Sequence, residues 1–196
     1  MSSAASRQRV LDTPTSDRRW ILQYPSGRSG APAPGPVHRQ MSGIFVARGL
    51  DRDDLSACTN GQGGEAQPRL TVRFVDAAES AALNEAYRGR SCPTNVLSFS
   101  SGEPPLEGLT RPAYLGDLVL CVSILRAEAV EQGKGLLQHT AHLLVHGLLH
   151  LEGFDHVSDK EAEIMEDEER RVLSLLGWPD PYAVVPMNSN IGRYEA

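Results

Sequence analysis

Three histidines in the last third of the chain limit its fold and chemistry more than any other feature. His146 and His150 lie four residues apart in an apolar stretch. On a helix they point the same way, about 6 Å apart along the axis. Gly153 follows, and glycine ends helices readily because it enters the left-handed conformation without strain. The chain can then turn and bring His156 back as a third ligand. Three imidazoles with a fourth position left open are typical of a catalytic zinc ion.

The same spacing occurs in zinc proteases, with one decisive difference. A zincin helix reads H-E-x-x-H, and the metzincins add a glycine and a third histidine. This chain has the three histidines and the glycine, but Gly147 stands where the glutamate should be. That glutamate is the general base that activates water for peptide hydrolysis. The pattern therefore predicts an open metal site and argues against an ordinary protease.

The remaining histidines are weaker candidates. His142 lies one turn before His146 on the same predicted face, and His139 is nearby. Because three ligands are already present, we expect these two to support the ligands or to line the wall of the site. Asp155 can either orient a ligand histidine or cap the turn. His38 is isolated in a polar stretch and carries no functional signal.

Charge and cysteine content bound the partners and the compartment. Residues 1–50 hold seven arginines and two aspartates, a net charge of +5, whereas residues 51–196 carry a net charge of −11. Nucleic-acid binders depend largely on phosphate contacts, so any RNA must meet a local basic surface. The candidates for that surface are Arg88 and Arg90, helped by Arg73 and Arg126. Three cysteines without C-x-x-C spacing favour free thiols in a reducing compartment. No apolar run is long enough to cross a membrane.

Composition divides the chain into three parts. Residues 1–67 are rich in Gly, Pro and Ser without a lasting apolar period, so we expect a disordered or atypical N-terminal segment. Residues 44–46 are its one exception, a short predicted strand. Residues 68–185 are predicted to form the folded domain and 186–196 a C-terminal tail. The arginine-rich start has features of an organelle transit peptide, but Asp12, Asp17 and several prolines weaken that interpretation. A mistaken start would give the same composition.

Regular patterns begin at Leu70. Alternation and apolar runs predict three strands, and the helical period predicts four helices. Asp76 and Ser158 each precede a glutamate by three residues, as in a capping box. The acidic residues of the last helix are interpreted as a solvated face. The predicted strands are 70–75, 96–99 and 115–122. The first predicted helix starts after Asp76 and ends at Gly89, and the other three are 123–132, 136–151 and 158–176.

These motifs together resemble the YbeY family of bacterial endoribonucleases and ribosomal RNA maturation factors. The signature H-G-x-L-H-L-x-G-[YF]-D-H is met in full at 146–156, and further blocks match at 87–99, 115–121 and 176–182. The resemblance covers residues 70 to about 182 and implies an α+β fold, in which a small mixed sheet packs against helices and a zincin-like metal helix lies beneath the cleft. Relatives usually begin with a strand and a helix before Leu70, and neither maps onto the pattern of residues 1–67.

The resemblance also implies an activity and its residues. It implies a zinc-dependent endoribonuclease, a hydrolase that cuts single-stranded RNA, matures the 3′ end of small-subunit ribosomal RNA and serves ribosome quality control. One Zn²⁺, or another divalent transition metal, would be held by His146, His150 and His156, and the family assigns catalytic roles to His146 and Arg88. Such a site lowers the pKa of bound water toward ~7. A guanidinium at Arg88 can bind phosphate bidentately, or simply favour the negative end of its helix dipole.

The expected partners are ribosomal RNA and the ribosome, with no membrane and no DNA, in a bacterial-type cytoplasm. Two alternatives stay open. One is a metal hydrolase acting on another substrate, including peptides. The other is a ribosome assembly factor whose metal is structural. RNA cleavage with and without a chelator separates all three.

Overall fold

Four strands and five helices make up the part of the chain that the structure describes. The structure is a computed structural model, and it describes residues 19–50, 69–105 and 112–183. None of the helices in these ranges is long and apolar enough to cross a bilayer. The strands are β1 (Trp20–Gln23), β2 (Leu70–Val75), β3 (Val96–Ser100) and β4 (Gly116–Cys121). The helices are α1 (Pro34–Ala47), α2 (Ala77–Arg88), α3 (Val122–Glu131), α4 (Leu136–Leu151) and α5 (Asp159–Leu175).

The strands form one mixed sheet in the order β1-β2-β4-β3. β1, β2 and β4 run parallel, and β3 pairs antiparallel with β4 at one edge. Five of the six residues in each of the two central strands are buried, as expected for strands covered on both faces. The expected α+β fold with a small mixed sheet is confirmed, although the sheet has one strand more than the sequence pattern predicts.

The two faces of the sheet carry different helices, because successive side chains of a strand point to opposite faces. On one face Val75, Leu97 and Val119 form a small apolar cluster with Leu83 of α2 and with Phe99. The larger core lies on the other face, where α4 packs on β3 and β4 and also contacts α1, α3 and α5. α4 is therefore at the centre of the domain, and α2 lies on the far side of the sheet.

The N-terminal prediction is wrong for residues 19–50. β1 adds a strand to the sheet beside β2, and α1 packs in the main core. A strand and a helix thus precede Leu70, as the family resemblance implies. The helical period of α1 is hidden by prolines at its start, where the first turn tolerates them because its N–H groups need no partner. Its buried apolar residues are Val37, Met41, Ile44 and Phe45. Residues 1–18 and 51–67 lie outside the described residues, as does the predicted tail 186–196.

The predicted strand at 44–46 is also wrong, because these residues lie in the last turn of α1. Ile44 and Phe45 are fully buried, whereas Val46 is 60% exposed. A run of three β-branched or aromatic residues cannot be told from a helix segment by periodicity alone. Contacts with the rest of the core decide in favour of the helix.

The helix ends follow the predicted signals with small differences. Ser158 and Glu161 form the expected capping box of α5. Asp76 accepts a hydrogen bond from the N–H of Glu79, but the Glu79 carboxylate turns to Arg73 instead of completing the box. The N-cap of α3 is Cys121 rather than Ser123. α4 has the predicted bounds, so the element that carries two of the three histidines is as expected.

Replacing Phe45 with alanine should lower the free energy of unfolding by about 3–5 kcal/mol, because it opens a cavity in a filled core. Phe45 is fully buried and packs on Trp20, with 4.9 Å between ring centroids. Val46→Ala, one residue later and largely exposed, is the matched control and should change this quantity by no more than about 0.5 kcal/mol. Urea denaturation measures both. Equally small effects would show that α1 adds nothing to the stability of the domain.

Candidate metal centre

The structure brings the three predicted ligand histidines together. His146 and His150 lie one turn apart on α4, and their Nε2 atoms are 3.2 Å apart. The ring of His156 lies 5.6 Å from that of His146 and 5.0 Å from that of His150, between centroids. One ligand nitrogen from each of the three residues lies within 4.8 Å of the others. The trio can therefore hold a single metal ion.

A short turn after α4 returns His156 to the site. Gly153 adopts a left-handed conformation with φ of 91°, as the sequence predicts. The N–H of Phe154 donates to the carbonyl of Leu149, and the Phe154 side chain packs against the main core. Asp155 accepts a hydrogen bond from the N–H of His156 at 2.8 Å. Of the two roles considered for Asp155, the structure shows the local one, in the turn.

Hydrogen bonds donated by Nδ1 of His146 and His150 leave their Nε2 lone pairs free. His150 donates from Nδ1 to the carbonyl oxygen of Phe154 at 3.0 Å, and His146 donates from Nδ1 to Glu169 Oε1 at 2.8 Å. Two bare lone pairs facing each other at 3.2 Å repel unless a cation lies between them. A tetrahedral zinc ion with bonds of ~2.0–2.1 Å places two of its ligand nitrogens about 3.3 Å apart. The donor set therefore fits such an ion.

The pKa of His150 also favours metal binding. Burial lowers it most, and charge on His146 and His156 lowers it further, against a smaller opposing effect of the bond to Phe154. A lowered pKa keeps the imidazole neutral, and neutral imidazole is the form that binds metals.

Glu169 of α5 is the site residue that the sequence interpretation missed. It was assigned to a solvated face, yet it is only 1% exposed. Its carboxylate accepts hydrogen bonds from His142 Nε2 at 2.7 Å, His146 Nδ1 at 2.8 Å and Tyr182 Oη at 2.6 Å. Burial alone would raise the pKa of Glu169, but these three bonds together lower it to about 2. The missed signal is its spacing, because Glu169 lies four residues after Met165 and three before Val172 on the apolar stripe.

The other two histidines of α4 contact carboxylates. His142 is linked to the ligand histidines through Glu169, whose Oε2 accepts from His142 Nε2. His139 is buried, and its Nε2 lies 2.8 Å from Glu128 Oε2. Burial lowers the pKa of His139, although Glu128 opposes this shift. Glu128 also accepts from Asn95 Nδ2 at 3.1 Å, which ties the loop before β3 to α3. Both histidines thus lie beside the ligand trio rather than within it.

Gly147 lies where α4 packs directly against the sheet. A Cβ atom at this position would be 2.8 Å from Leu118 Cδ2 and 3.2 Å from Ser98 Oγ. The Ser98 hydroxyl also donates to the Gly147 carbonyl at 3.1 Å. The position that carries the zincin glutamate is therefore directed at β3 and β4 in this chain. A side chain there would collide with the sheet.

Arg88 is not in contact with the three histidines. It is the last residue of α2 and is exposed on the far side of the sheet from α4. Within the described ranges its guanidinium makes no hydrogen bond or ion pair. Tyr87, the residue before Arg88, contacts Phe99 of β3, and Gly147, the residue after His146, contacts Ser98 of the same strand. The neighbours of Arg88 and His146 thus meet opposite faces of β3.

Comparison with known proteins identifies the family of this chain. The sequence model of the family described as Endoribonuclease YbeY matches residues 52–177. Endoribonuclease YbeY of Halorhodospira halophila is 55% identical over 123 residues, which cover 63% of this chain and 77% of that protein. Endoribonuclease YbeY of Paraburkholderia phytofirmans is 51% identical over 161 residues, which cover 82% of this chain and 93% of that protein.

A solved structure is also similar. The solution structure of TM1509 from Thermotoga maritima matches 84% of this chain and 99% of its own chain, with a TM-score of 0.45 and 20% sequence identity.

The family model spans more than half of this chain, and the Paraburkholderia protein aligns over nearly its whole length with half of the aligned residues identical. The resemblance carried by the sequence motifs is therefore confirmed, and the chain belongs to the YbeY family.

Proposed function

We propose that this chain is a metal-dependent endoribonuclease that cleaves single-stranded RNA. The observation that carries the proposal is the pair of Nε2 atoms of His146 and His150, 3.2 Å apart and both freed by donation from Nδ1, with His156 beside them. The substrate class comes from the family, whose curated members bear the name endoribonuclease.

The three histidines would hold one Zn²⁺ or another divalent transition metal. Such an ion supplies a Lewis acid for a phosphoryl oxygen and water with a pKa near ~7. His146 must keep its proton on Nδ1, where Glu169 Oε1 accepts it in a hydrogen bond, for Nε2 to remain a ligand. His156 is exposed, so the trio is open to solvent on one side. An open side is what a hydrolytic site needs and a closed structural site lacks.

Arg88 would stabilise the negative charge that builds up on the phosphate during cleavage. Its guanidinium is exposed and unpaired among the described residues, and a planar guanidinium binds phosphate through two parallel hydrogen bonds. Arg90 is likewise exposed two residues later. Arg73, another candidate for a basic surface, is bound to Glu79 and Gln23. The basic surface available to RNA is therefore centred on Arg88 and Arg90.

The finer assignment follows from the family resemblance. The proposed substrate is ribosomal RNA, with maturation of the small-subunit 3′ end and ribosome quality control as the roles and the ribosome as the partner. The location would be the bacterial cytoplasm, where ribosomes are. The net charge of −11 over residues 51–196 restricts RNA to a local contact. Because such a contact neutralises few phosphates, we expect cleavage to weaken only modestly as salt is raised.

Removing the metal should abolish RNA cleavage. The full chain is expected to cut unstructured single-stranded RNA, to lose that activity after dialysis against a chelator, and to regain it when Zn²⁺ is returned. The physical reason is that the three histidines would activate water only through the metal ion that they hold. Gel analysis of a labelled RNA measures cleavage, with a duplex of the same sequence as the substrate control.

The same assay separates the two alternatives. Hydrolysis of casein with the RNA left intact would favour a peptide hydrolase. Tight zinc binding without any cleavage of RNA or peptides would favour an assembly factor with a structural metal. Either result would contradict the proposed function.

Arg88→Ala should reduce RNA cleavage by about 10²–10³-fold, because one preorganised donor to the transition state is lost. Zinc content and melting temperature should change little, since Arg88 is exposed and holds no other described residue. Arg88→Lys should recover only part of the activity, because an ammonium group lacks the bidentate fork. Arg39→Ala, another exposed helical arginine, is the control. Full activity of Arg88→Ala would contradict a role for Arg88 in cleavage, and its charge would then serve only the end of α2.

Gly147→Ala should lower the free energy of unfolding by about 1–3 kcal/mol, as overpacking does in a filled contact. Its Cβ would meet Leu118 Cδ2 at 2.8 Å. Gly35→Ala is the matched control, because it lies in the first turn of α1 with no atom closer than Arg39 Nη1 at 3.9 Å. Alanine there should be neutral or slightly stabilising. Gly147→Glu should be less stable still and should not hydrolyse casein. An active peptide hydrolase from Gly147→Glu would refute our account of this position.

A further inference from the structure

The segment that follows α5 folds back over the metal helix and is fastened on two sides. Gly177 reverses the chain with φ of 77°. Lys134, in the turn before α4, donates from Nζ to the carbonyl of Pro181 at 2.6 Å. From α5, the Arg170 guanidinium lies 4.9 Å from the centroid of the Tyr182 ring and 3.5 Å from Asp180. Residues 177–183 are thereby held so that the Tyr182 hydroxyl meets Glu169.

The Glu169 carboxylate divides its two oxygens between different partners. Oε2 accepts from both His142 and Tyr182, whereas Oε1 accepts from His146 alone. Two donors on Oε2 prevent the carboxylate from rotating, so Oε1 stays directed at Nδ1 of His146. His142 is fixed as a donor because its Nδ1 is buried without a partner among the described residues, and its proton is therefore best placed on Nε2.

A carboxylate in this position is not explained by packing. Glu169 lies on an apolar stripe with Met165 and Val172, and burying a charge costs more than burying a methyl group. Well-packed apolar residues often replace buried charges without loss of stability. The choice of glutamate is explained by what it does to His146, since a metal-binding imidazole needs an acceptor for its other N–H.

We propose that Glu169 is the positioning residue of the metal site, and that Tyr182 and the segment 177–183 are part of that site through it. The carboxylate holds the proton of His146 on Nδ1 and so keeps Nε2 free for the metal. Without it, the proton can move to Nε2 and remove the ligand lone pair. This inference rests on the proposed metal-dependent function, and it extends the site to Glu169 and Tyr182, which lie 13 and 26 positions after the end of the signature.

Glu169→Gln tests the proposal in the full chain. The amide of glutamine has only one accepting oxygen. Either His146 or the pair His142 and Tyr182 must therefore lose the acceptor that Glu169 provides. The affinity for Zn²⁺, measured by competition with a chromogenic chelator, should fall by about 10- to 100-fold. Glu163→Gln, on an exposed position of the same helix, is the matched control and should leave the affinity unchanged.

A second measurement reports the tautomer itself. Nitrogen-15 correlation spectra of the zinc-free chain should show His146 protonated on Nδ1 in the unmodified protein and in Glu163→Gln. In Glu169→Gln the Nε2-protonated form should become populated. A residue that only supports the fold would not move this signal.

Tyr182→Phe keeps the ring that Arg170 covers and removes only the hydroxyl. It therefore tests the same proposal even if Glu169→Gln folds poorly. We expect Zn²⁺ affinity to fall by a smaller factor, about threefold to tenfold, because the carboxylate keeps two of its three donors. Tyr24→Phe is the control, since that hydroxyl donates to Pro32 at 3.2 Å away from the site.

The possible results are distinct. Unchanged Zn²⁺ affinity and an unchanged His146 tautomer in both Glu169→Gln and Tyr182→Phe would overturn this inference while leaving the proposed nuclease intact. Failure of the unmodified chain to bind Zn²⁺ or another divalent transition metal would overturn the proposed function and this inference together. Loss of Zn²⁺ affinity with the tautomer change supports the inference.

Discussion

The close contact between α4 and the sheet at Gly147 determines where the histidines point. Because the helix backbone touches Leu118 and Ser98 at this residue, the rotation of α4 about its axis is fixed. His146 and His150 are then directed away from the sheet, toward α5 and the turn that carries His156. A bulkier residue at position 147 would move the helix outward. The geometry of the ligands therefore depends on the absence of a side chain next to them.

The opposite side of α4 sets a different physical problem. Glu169 brings a negative charge into an apolar interface, and such a charge is tolerated only when hydrogen bonds replace its water. Three donors supply that replacement, and two of them are histidines of α4. The metal helix is thus held on one side by van der Waals contact and on the other by charge-assisted hydrogen bonds. The first sets its distance from the sheet, and the second sets the orientation of an imidazole.

The sequence predicted the parts that depend on local spacing. The bounds of α4, the left-handed Gly153 and the capping box at Ser158 all follow from residues close together in the chain. β1 and α1 were missed because four residues make a weak strand signal, and prolines conceal the start of the helix. Glu169 was missed because a glutamate among other acidic residues indicates a solvated face until its partners are known. Those partners, Tyr182 and two histidines, come from other elements.

Chain order gives the C-terminal segment a consequence for biosynthesis. The histidines of α4 are synthesised before Glu169, and Tyr182 follows last. A chain still growing on the ribosome can therefore present all three imidazoles to the surrounding solution while the carboxylate that orients His146 is inside the exit tunnel. The parallel pairing of β1 with β2, and of β2 with β4, also joins strands distant in sequence, which slows folding. The protein thus acquires its ordered ligand set only after Tyr182 has been synthesised, and translation itself delays the ordering of the metal site.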